Sequence, residues 1–426
     1  MSDGFSILYG PNGVGKTKFL EIIKAATEID GQTLSQLPFS EIKIRYSDGA
    51  LLLARRDVNE ISSEGPGRYK LASVKFEYRR HSHLLAEWLF EDDGFYEWAN
   101  TRTRYEQYPD GSWIDVSDGE VVSTEDMLEM YSRRPGARRR GSAPIPEGFS
   151  RFKETHAAFL IEAQRLSSKE FEVERDPRRP ALRSRRREVS RIMKQAQVIK
   201  ALLNDAQTEH SKIAQKLDRT FPHRVLEAHG QAWKLNAEAI RERYGSQDEL
   251  RSRVGRIASV STNEELPLPD TELEPWALVL LDLYLRDTEM KLDTFVPLLS
   301  KIELLESIVN NRLLQKRLEI SEEAGFSVIR NSTNEKIPLD LLSSGEQHEI
   351  ILMIDLLFNV PRGAVVLIDE PEISLHVAWQ IAFIPDVRRI AELAEFTFIV
   401  ATHSPQIING EWDRATRLGP PEAAFQ

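Results

Sequence analysis

At 426 residues the chain is long enough for two or three ordinary domains, and an apolar content of 41% is ample for a buried core. A formal net charge of −11 argues against a protein coated in base for wholesale nucleic-acid binding, and the absence of cysteine excludes a disulfide framework, a thiolate metal site or a cysteine nucleophile. No apolar run approaches the roughly 18 residues that span a bilayer, and no signal-peptide core opens the chain, so a soluble cytoplasmic protein outside the membrane is expected.

Phe5 to Tyr9 is apolar, β-prone and stopped by Gly10, the pattern of a short buried strand. The loop from Gly10 to Thr17 then fits G-x-x-x-x-G-K-[ST] and leads into a helical pattern over Lys18 to Ala26. Gly10, Asn12, Gly13 and Gly15 let the backbone curl its N–H groups towards phosphate oxygens. Lys16 adds a point charge, Thr17 offers a hydroxyl to Mg²⁺, and the helix start at Thr17 and Lys18 directs its positive end at the anion.

From Glu41 to Val122 the sequence becomes β-rich, with Asp-Gly turns at Asp48-Gly49, Asp93-Gly94, Asp110-Gly111 and Asp118-Gly119. It predicts an antiparallel lobe. Its aromatics Tyr96, Trp98, Tyr105, Tyr108 and Trp113 read as core and hairpin packing before a base-stacking surface. Ser123 to Asp126 predicts a helix start into Met127 to Tyr131. Two arginine clusters follow: Arg133, Arg134 and Arg138 to Arg140, then Arg178, Arg179, Arg183, Arg185 to Arg187 and Arg191. They fit a solvated loop and contact with nucleic acid or an acidic partner equally well. Between them an apolar run, Ala157 to Ala163, ends at Gln164.

From Val189 the apolar residues Ile192, Ala196, Ile199, Leu203, Ala206, Ile213 and Leu217 recur at steps of three and four, the seam of a helix packed along a partner helix. Thr220-Phe221-Pro222 is expected to close it. A second helix is expected over Val225 to Val254 and more helix from Leu273 to Leu318, broken near Pro297. Two short strands, Phe326 to Ile329 and Lys336 to Leu339, are then predicted across a turn at Asn331 to Asn334.

The C-terminal part carries the rest of the chemistry. Val365 to Ile368 is an apolar strand that ends on Asp369 and Glu370. At that place one carboxylate holds the Mg²⁺ that bridges two phosphates, and the next polarises the attacking water. Phe396 to Ala401 is a second such strand, and it delivers Thr402-His403-Ser404, where His403 would meet a terminal phosphate.

In this order the residues resemble the motifs of ABC-type ATPases, in the SMC-like branch of soluble prokaryotic AAA-type heads related to the overcoming-lysogenisation-defect ATPases. Ser343-Ser344-Gly345-Glu346-Gln347 is similar to their signature, Ile368 to His376 to their Walker B and D-loop, and Ala401 to Gln406 to their switch region. Gln164 matches their Q-loop by position. The resemblance implies an α/β fold: a P-loop NTPase head with a mixed sheet core and antiparallel β-lobe, plus an inserted helical, coiled-coil-like domain. It divides the chain at residues 1–166, 167–318 and 319–426. It implies ATP and Mg²⁺ as ligands. Thr17, Asp369 and Gln164 would lie at the metal, and Lys16, Glu370 and His403 would act in hydrolysis. Ser343, Gly345 and Glu346 would close over ATP held by a second subunit, so that ATP-bound heads form a homodimer or higher homo-oligomer. Nine residues precede Gly10, where such heads carry further strands and an adenine-stacking aromatic; Tyr9 and the β-lobe are expected to take that place. The short tail after His403 leaves no room for an appended nuclease. The implied partner is therefore a nuclease encoded nearby, as in anti-phage systems such as PARIS and Septu. Duplex DNA held by the arginine clusters is the alternative.

Overall fold

The computed structural model describes residues 4–62, 68–91, 95–107, 112–117, 119, 121–122, 126–127, 130–131, 144–162, 170–174, 185–228, 236–258, 268 and 271–419. Five parallel strands form the central sheet: β1 (Phe5–Tyr9), β2 (Ala158–Glu162), β3 (Val365–Asp369), β4 (Thr397–Thr402) and β5 (Ala415–Arg417), in the order β5-β1-β4-β3-β2. The near-continuous apolar runs of β1, β3 and β4 follow from burial on both faces, whereas the edge strand β5 is short and polar. Ile7, Val366, Ile368, Phe398 and Val400 enter the main core. Leu8, Leu367 and Ala401 point the other way, against Leu20 of helix α1 (Lys16–Thr27). The register sets Tyr9 level with Thr402, and Asp369 level with both Ala401 and Glu162. The loops after β1, β3 and β4 therefore emerge side by side at the carboxyl edge of the sheet, the usual place for a ligand crevice in open α/β sheets.

The expected antiparallel lobe is present, with strands Glu41–Arg45, Ala50–Ser62, Arg68–Arg80 and His83–Glu91 paired in sequence order. Leu52, Ala54, Phe76 and Trp88 pack on Ala25, Ala26 and Ile29 at the back of α1, with Phe149 and Phe152 of the helix Glu147–Thr155 completing the layer. The Asp48-Gly49 turn forms as expected, the Ala50 N–H donating to Asp48 Oδ1 at 3.0 Å. The hairpin between Arg68–Arg80 and His83–Glu91 turns on His81 and Ser82, at φ of 45° and 71° without a glycine. Trp113 is fully buried among Phe95, Met127 and Tyr131, with Trp98 and Tyr105 packed against them. These aromatics are core, as read. Tyr108, the Tyr96 side chain, Ser123 to Glu125, the Asp-Gly pairs at 93–94 and 110–111, and the cluster arginines Arg133, Arg134, Arg138 to Arg140, Arg178, Arg179 and Arg183 lie outside the described residues.

The insertion contains α2 (Arg191–Glu227), α3 (Ala237–Ile257), α4 (Pro275–Leu292) and α5 (Val296–Asn310). Ile192, Ala196, Ile199, Leu203 and Leu217 form the buried stripe of α2. The root of α2 lies on a hairpin of the head, so close that a Cβ on Gly325 would stand 1.9 Å from the Ala196 carbonyl oxygen. Pro222 does not end α2, contrary to expectation. Arg224 holds the last turn by donating to both carboxylate oxygens of Asp287 on α4, at 2.5 and 2.7 Å, and to the Leu217 carbonyl. That anchorage offsets the helix bond a proline forfeits. Pro297 falls in the first turn of α5, where it is tolerated.

Residues 316–318, read as the end of a helix, belong to the first strand of an antiparallel sheet: Lys316–Ser321, Gly325–Arg330 and Lys336–Ile337. Leu318 and Ile320 are buried and their neighbours are not, a period of two. Next comes α6 (Ser344–Ile354), which runs into a π-helical turn at Asp355–Asn359, and then α7 (Val377–Ala394). Arg191 Nη2 and Gln195 Nε2 of α2 donate to the buried Asp355 at 3.0 and 2.7 Å. Arg312 is buried between Glu349 of α6 and Asp386 of α7 and donates to both. Among the described residues no helix is long and apolar enough to cross a membrane.

Candidate functional site

The loop Gly10 to Thr17 leaves the end of β1 and turns into α1 through Gly13 and Gly15, at φ of 85° and 95°. That left-handed geometry suits glycine and leaves the first N–H groups of α1 at an uncovered helix start. Asn12 and Gly13 are exposed at the tip and Gly10 is buried at the base. The Lys16 side chain, buried at 4% exposure, curls back over the loop. Its Nζ donates to the Gly10 and Pro11 carbonyls at 3.0 and 3.3 Å and lies 3.5 Å from Glu370 Oε1. Lys18 points along the helix surface to Glu21 at 2.7 Å, so only its backbone N–H faces the loop's task.

Thr17 and Asp369 meet although 352 residues separate them: the Thr17 hydroxyl donates to Asp369 Oδ2 at 2.7 Å. Asp369 Oδ1 is buried and has no partner among the described residues. Burial pushes the Asp369 carboxyl above its ordinary range, with Glu370 and Glu162 adding to the shift and the Thr17 hydroxyl and Lys16 opposing it. A half-satisfied carboxylate beside a hydroxyl offers two oxygens suited to a hard divalent cation, and among the described residues no group of three acidic or histidine side chains gathers to hold one by itself. Glu370 holds a left-handed backbone at φ 46° while its N–H donates to the Ala401 carbonyl at 2.8 Å. This strained turn places its side chain between Lys16 and His403, whose Nδ1 is 3.6 Å from Glu370 Oε1.

One residue here escaped the sequence reading. Glu372 is buried, and its Oε1 accepts the Thr402 hydroxyl at 2.6 Å and the His403 N–H at 2.7 Å, joining the turn after β3 to the turn after β4. The available signal was a third acidic residue within four positions, Asp369-Glu370-Pro371-Glu372. Glu162, level with Asp369 on β2, was likewise passed over for its neighbour Gln164, which lies outside the described residues.

Lys16, Thr17, Asp369, Glu370 and His403 thus converge. Ser343, Gly345 and Glu346 do not join them within the chain; they form the N-terminus of α6. Ser343 and Glu346 make a capping box: the Glu346 N–H donates to Ser343 Oγ, and the Ser343 N–H to Glu346 Oε2 at 3.0 Å. Burial alone would raise the Glu346 carboxyl, but Lys316, 2.8 Å away, and the Ser343 amide and hydroxyl hold it below its ordinary value. Ser343 is exposed, and the helix start it caps faces solvent in a single chain.

Residues 171–409 match the family described as "AAA domain, putative AbiEii toxin, Type IV TA system". No curated protein matches the chain. Among solved structures, the chain is similar to the Smc head domain of Pyrococcus furiosus, with an extended coiled coil and bound to the C-terminal domain of ScpA. Identity there is 11%, coverage 96% of this chain and 85% of that one, and the TM-score 0.34. The SMC head domain of Thermotoga maritima gives 11% identity, 97% and 84% coverage and a TM-score of 0.29. Likenesses this distant say nothing of what the chain binds.

Proposed function

The chain belongs to the AAA-domain family that residues 171–409 match, and from that premise we propose that it is an ATPase working on Mg·ATP at the carboxyl edge of the central sheet. The observation that carries this reading is the 2.7 Å bond between Thr17 and Asp369. It brings the phosphate loop and the acidic strand end to one point. The backbone N–H groups from Gly13 to Lys18 and the Lys16 ammonium hold the phosphates. Thr17 Oγ1 and Asp369 Oδ1 would hold Mg²⁺, which would offset charge on the phosphate oxygens. Phosphate competes for Lys16 and so draws it from Glu370, leaving that carboxylate to take the proton of the attacking water. Glu370→Gln should bind ATP yet lose about 10²–10⁴ in turnover, and Lys16→Ala should abolish nucleotide binding. Near-normal hydrolysis by the Gln variant removes Glu370 from this role.

Two further parts of the reading are supported more remotely. The solvent-facing start of α6, with Leu341 exposed just before it and Ile373, Val377 and Ile381 exposed on the turn after β3 and on α7, supports a head-to-tail homodimer in which Ser343, Gly345 and Glu346 contact ATP on the neighbouring subunit. From the order of the motifs we infer a head whose ATP state governs a separately encoded toxic effector, a nuclease, in anti-phage defence; the family's description names a putative toxin and no separate effector. Mass spectrometry of co-purified proteins tests it: a nuclease supports the reading and a membrane permease overturns it. The alternative, DNA clamping through the arginine clusters, is tested by salt-dependent DNA binding that weakens on neutralising Arg185, Arg186 and Arg187.

A further inference from the structure

Gln380 stands in the first turn of α7 and bonds to both turns of the candidate site. Its Nε2 donates to the Glu372 and Leu375 carbonyls of the turn after β3, at 3.3 and 3.0 Å. Its Oε1 accepts the Ser404 hydroxyl of the turn after β4 at 2.8 Å. A side-chain amide has two donor hydrogens on its nitrogen and an acceptor oxygen on the other arm. Reversed, it would set that oxygen against two carbonyls, so the three contacts admit one orientation. The Ser404 hydroxyl has one proton to give, and the exposed Gln406, 3.0 Å away, can meet it with its amide nitrogen.

The surroundings give these bonds their weight. Ser404 is buried, and its N–H lies 3.0 Å from Thr402 Oγ1 and 3.2 Å from Glu372 Oε1. Its chain neighbour His403 holds its ring 3.6 Å from Glu370 Oε1. From His376 to Ala382 every residue is exposed or half-buried, with Trp379 packed against the main core. Packing therefore fixes the start of α7 loosely, and hydrogen bonds set where it stands relative to the two turns. A base and a phosphate-facing side chain act together only at a set separation, and a displacement of about 1 Å costs about 10²-fold in rate. We propose that Gln380 is a positioning residue for ATP cleavage: its amide locks the turn carrying His403 to the turn carrying Glu370 and holds both against α7. It acts through Ser404 and the backbone, not by touching ATP. The inference rests on the ATPase reading above.

Single-turnover cleavage of prebound Mg·ATP by the full chain tests it, with the Kd for ATP measured alongside. Gln380→Met keeps the length of the side chain and removes its hydrogen bonds. It should slow cleavage per bound ATP about 10–100-fold while the Kd stays within about twofold. A role in folding alone would lower the fraction of chains that bind ATP and leave the cleavage rate of the bound fraction unchanged, and that result overturns the inference. Ser404→Ala removes one oxygen from the same contact and should slow cleavage likewise. The double variant should be no slower than the slower single one, because both cut the same tie. Rate losses that multiply, or a normal cleavage rate in Ser404→Ala, overturn the inference and leave the ATPase reading standing. A wild type that cleaves no ATP overturns both. Where Gln380→Met does not fold, the Ser404→Ala rate decides alone.

Discussion

Replacing Arg312 by Met isolates the charge that ties α6 to α7. The guanidinium is 7% exposed, Glu349 3% and Asp386 13%. Asp386 keeps Arg389 at 3.6 Å, whereas Glu349 already has one oxygen, Oε2, without a partner among the described residues. Arg312→Met therefore strands chiefly Glu349, and orphaning one member of a buried pair costs about 3–5 kcal/mol. With an unfolding entropy of about 2.1 cal/mol/K per residue over a cooperative chain of this length, that corresponds to a Tm lowered by about 3–6 °C. The sign of its pH dependence follows. A stranded Glu349 has a folded-state pKa above its unfolded value, so the variant binds the extra proton when folded and loses stability as pH rises through that interval. The defect should shrink towards pH 4–5 and be full at neutral pH. Thermal and urea melts across pH measure it. Arg312→Met with Glu349→Met, which removes the stranded charge at similar volume, should recover most of the loss. A double variant as unstable as the single one, with no pH dependence, would show that packing and not the orphaned charge is responsible.

Asp369→Asn should raise the Tm of the nucleotide-free protein, because it removes a carboxyl whose burial is unfavourable to its charged form, while Mg²⁺-dependent ATP hydrolysis is lost; a lowered Tm would contradict the burial argument. Gly325→Ala sets a Cβ against the backbone of α2 at φ 75°, and should cost about 2–4 kcal/mol in urea unfolding. Head-to-tail pairing has its own assay: Ser343→Arg and Lys16→Ala should each be inactive alone, yet regain activity on mixing, because the mixed dimer contains one site with both residues intact. Absence of complementation in a mixture shown to exchange subunits counts against the pairing.

What the sequence disclosed was chemistry encoded over short spacing. Gly10 to Thr17 and Asp369-Glu370 name their own neighbours because a strand end, a turn and a helix start are local. The stripe along α2 was equally local, and its residues are the buried ones. What it packs on was not, since the head hairpin at Gly325 lies far along the chain and only the missing Cβ hints at the contact. Pro222 misled because its cost is local and its remedy, Asp287, is 65 residues on. The turn at His81 and Ser82 has no glycine or asparagine to announce it. Residues 316–321 offered two apolar positions, too few to separate a period of two from one of 3.6. Glu372 was passed over inside the stretch Ile368 to His376 because burial, which gives it its importance, is a property of the folded sheet edge.

The grip on Asp355 has a mechanical corollary. The far end of α6 passes through a π-helical turn whose carboxylate is clasped by Arg191 and Gln195, in the first two turns of a helix of 37 residues. Such a helix is about 55 Å long. If heads pair as proposed, any tilt their closing imposes on α6 is handed to the base of a rod, and a rotation of about 10° there sweeps a point one rod-length away through about 10 Å. The displacement available to a partner at the far end is thus set by leverage, and loosening the clasp should weaken signalling without touching a single atom of the nucleotide site.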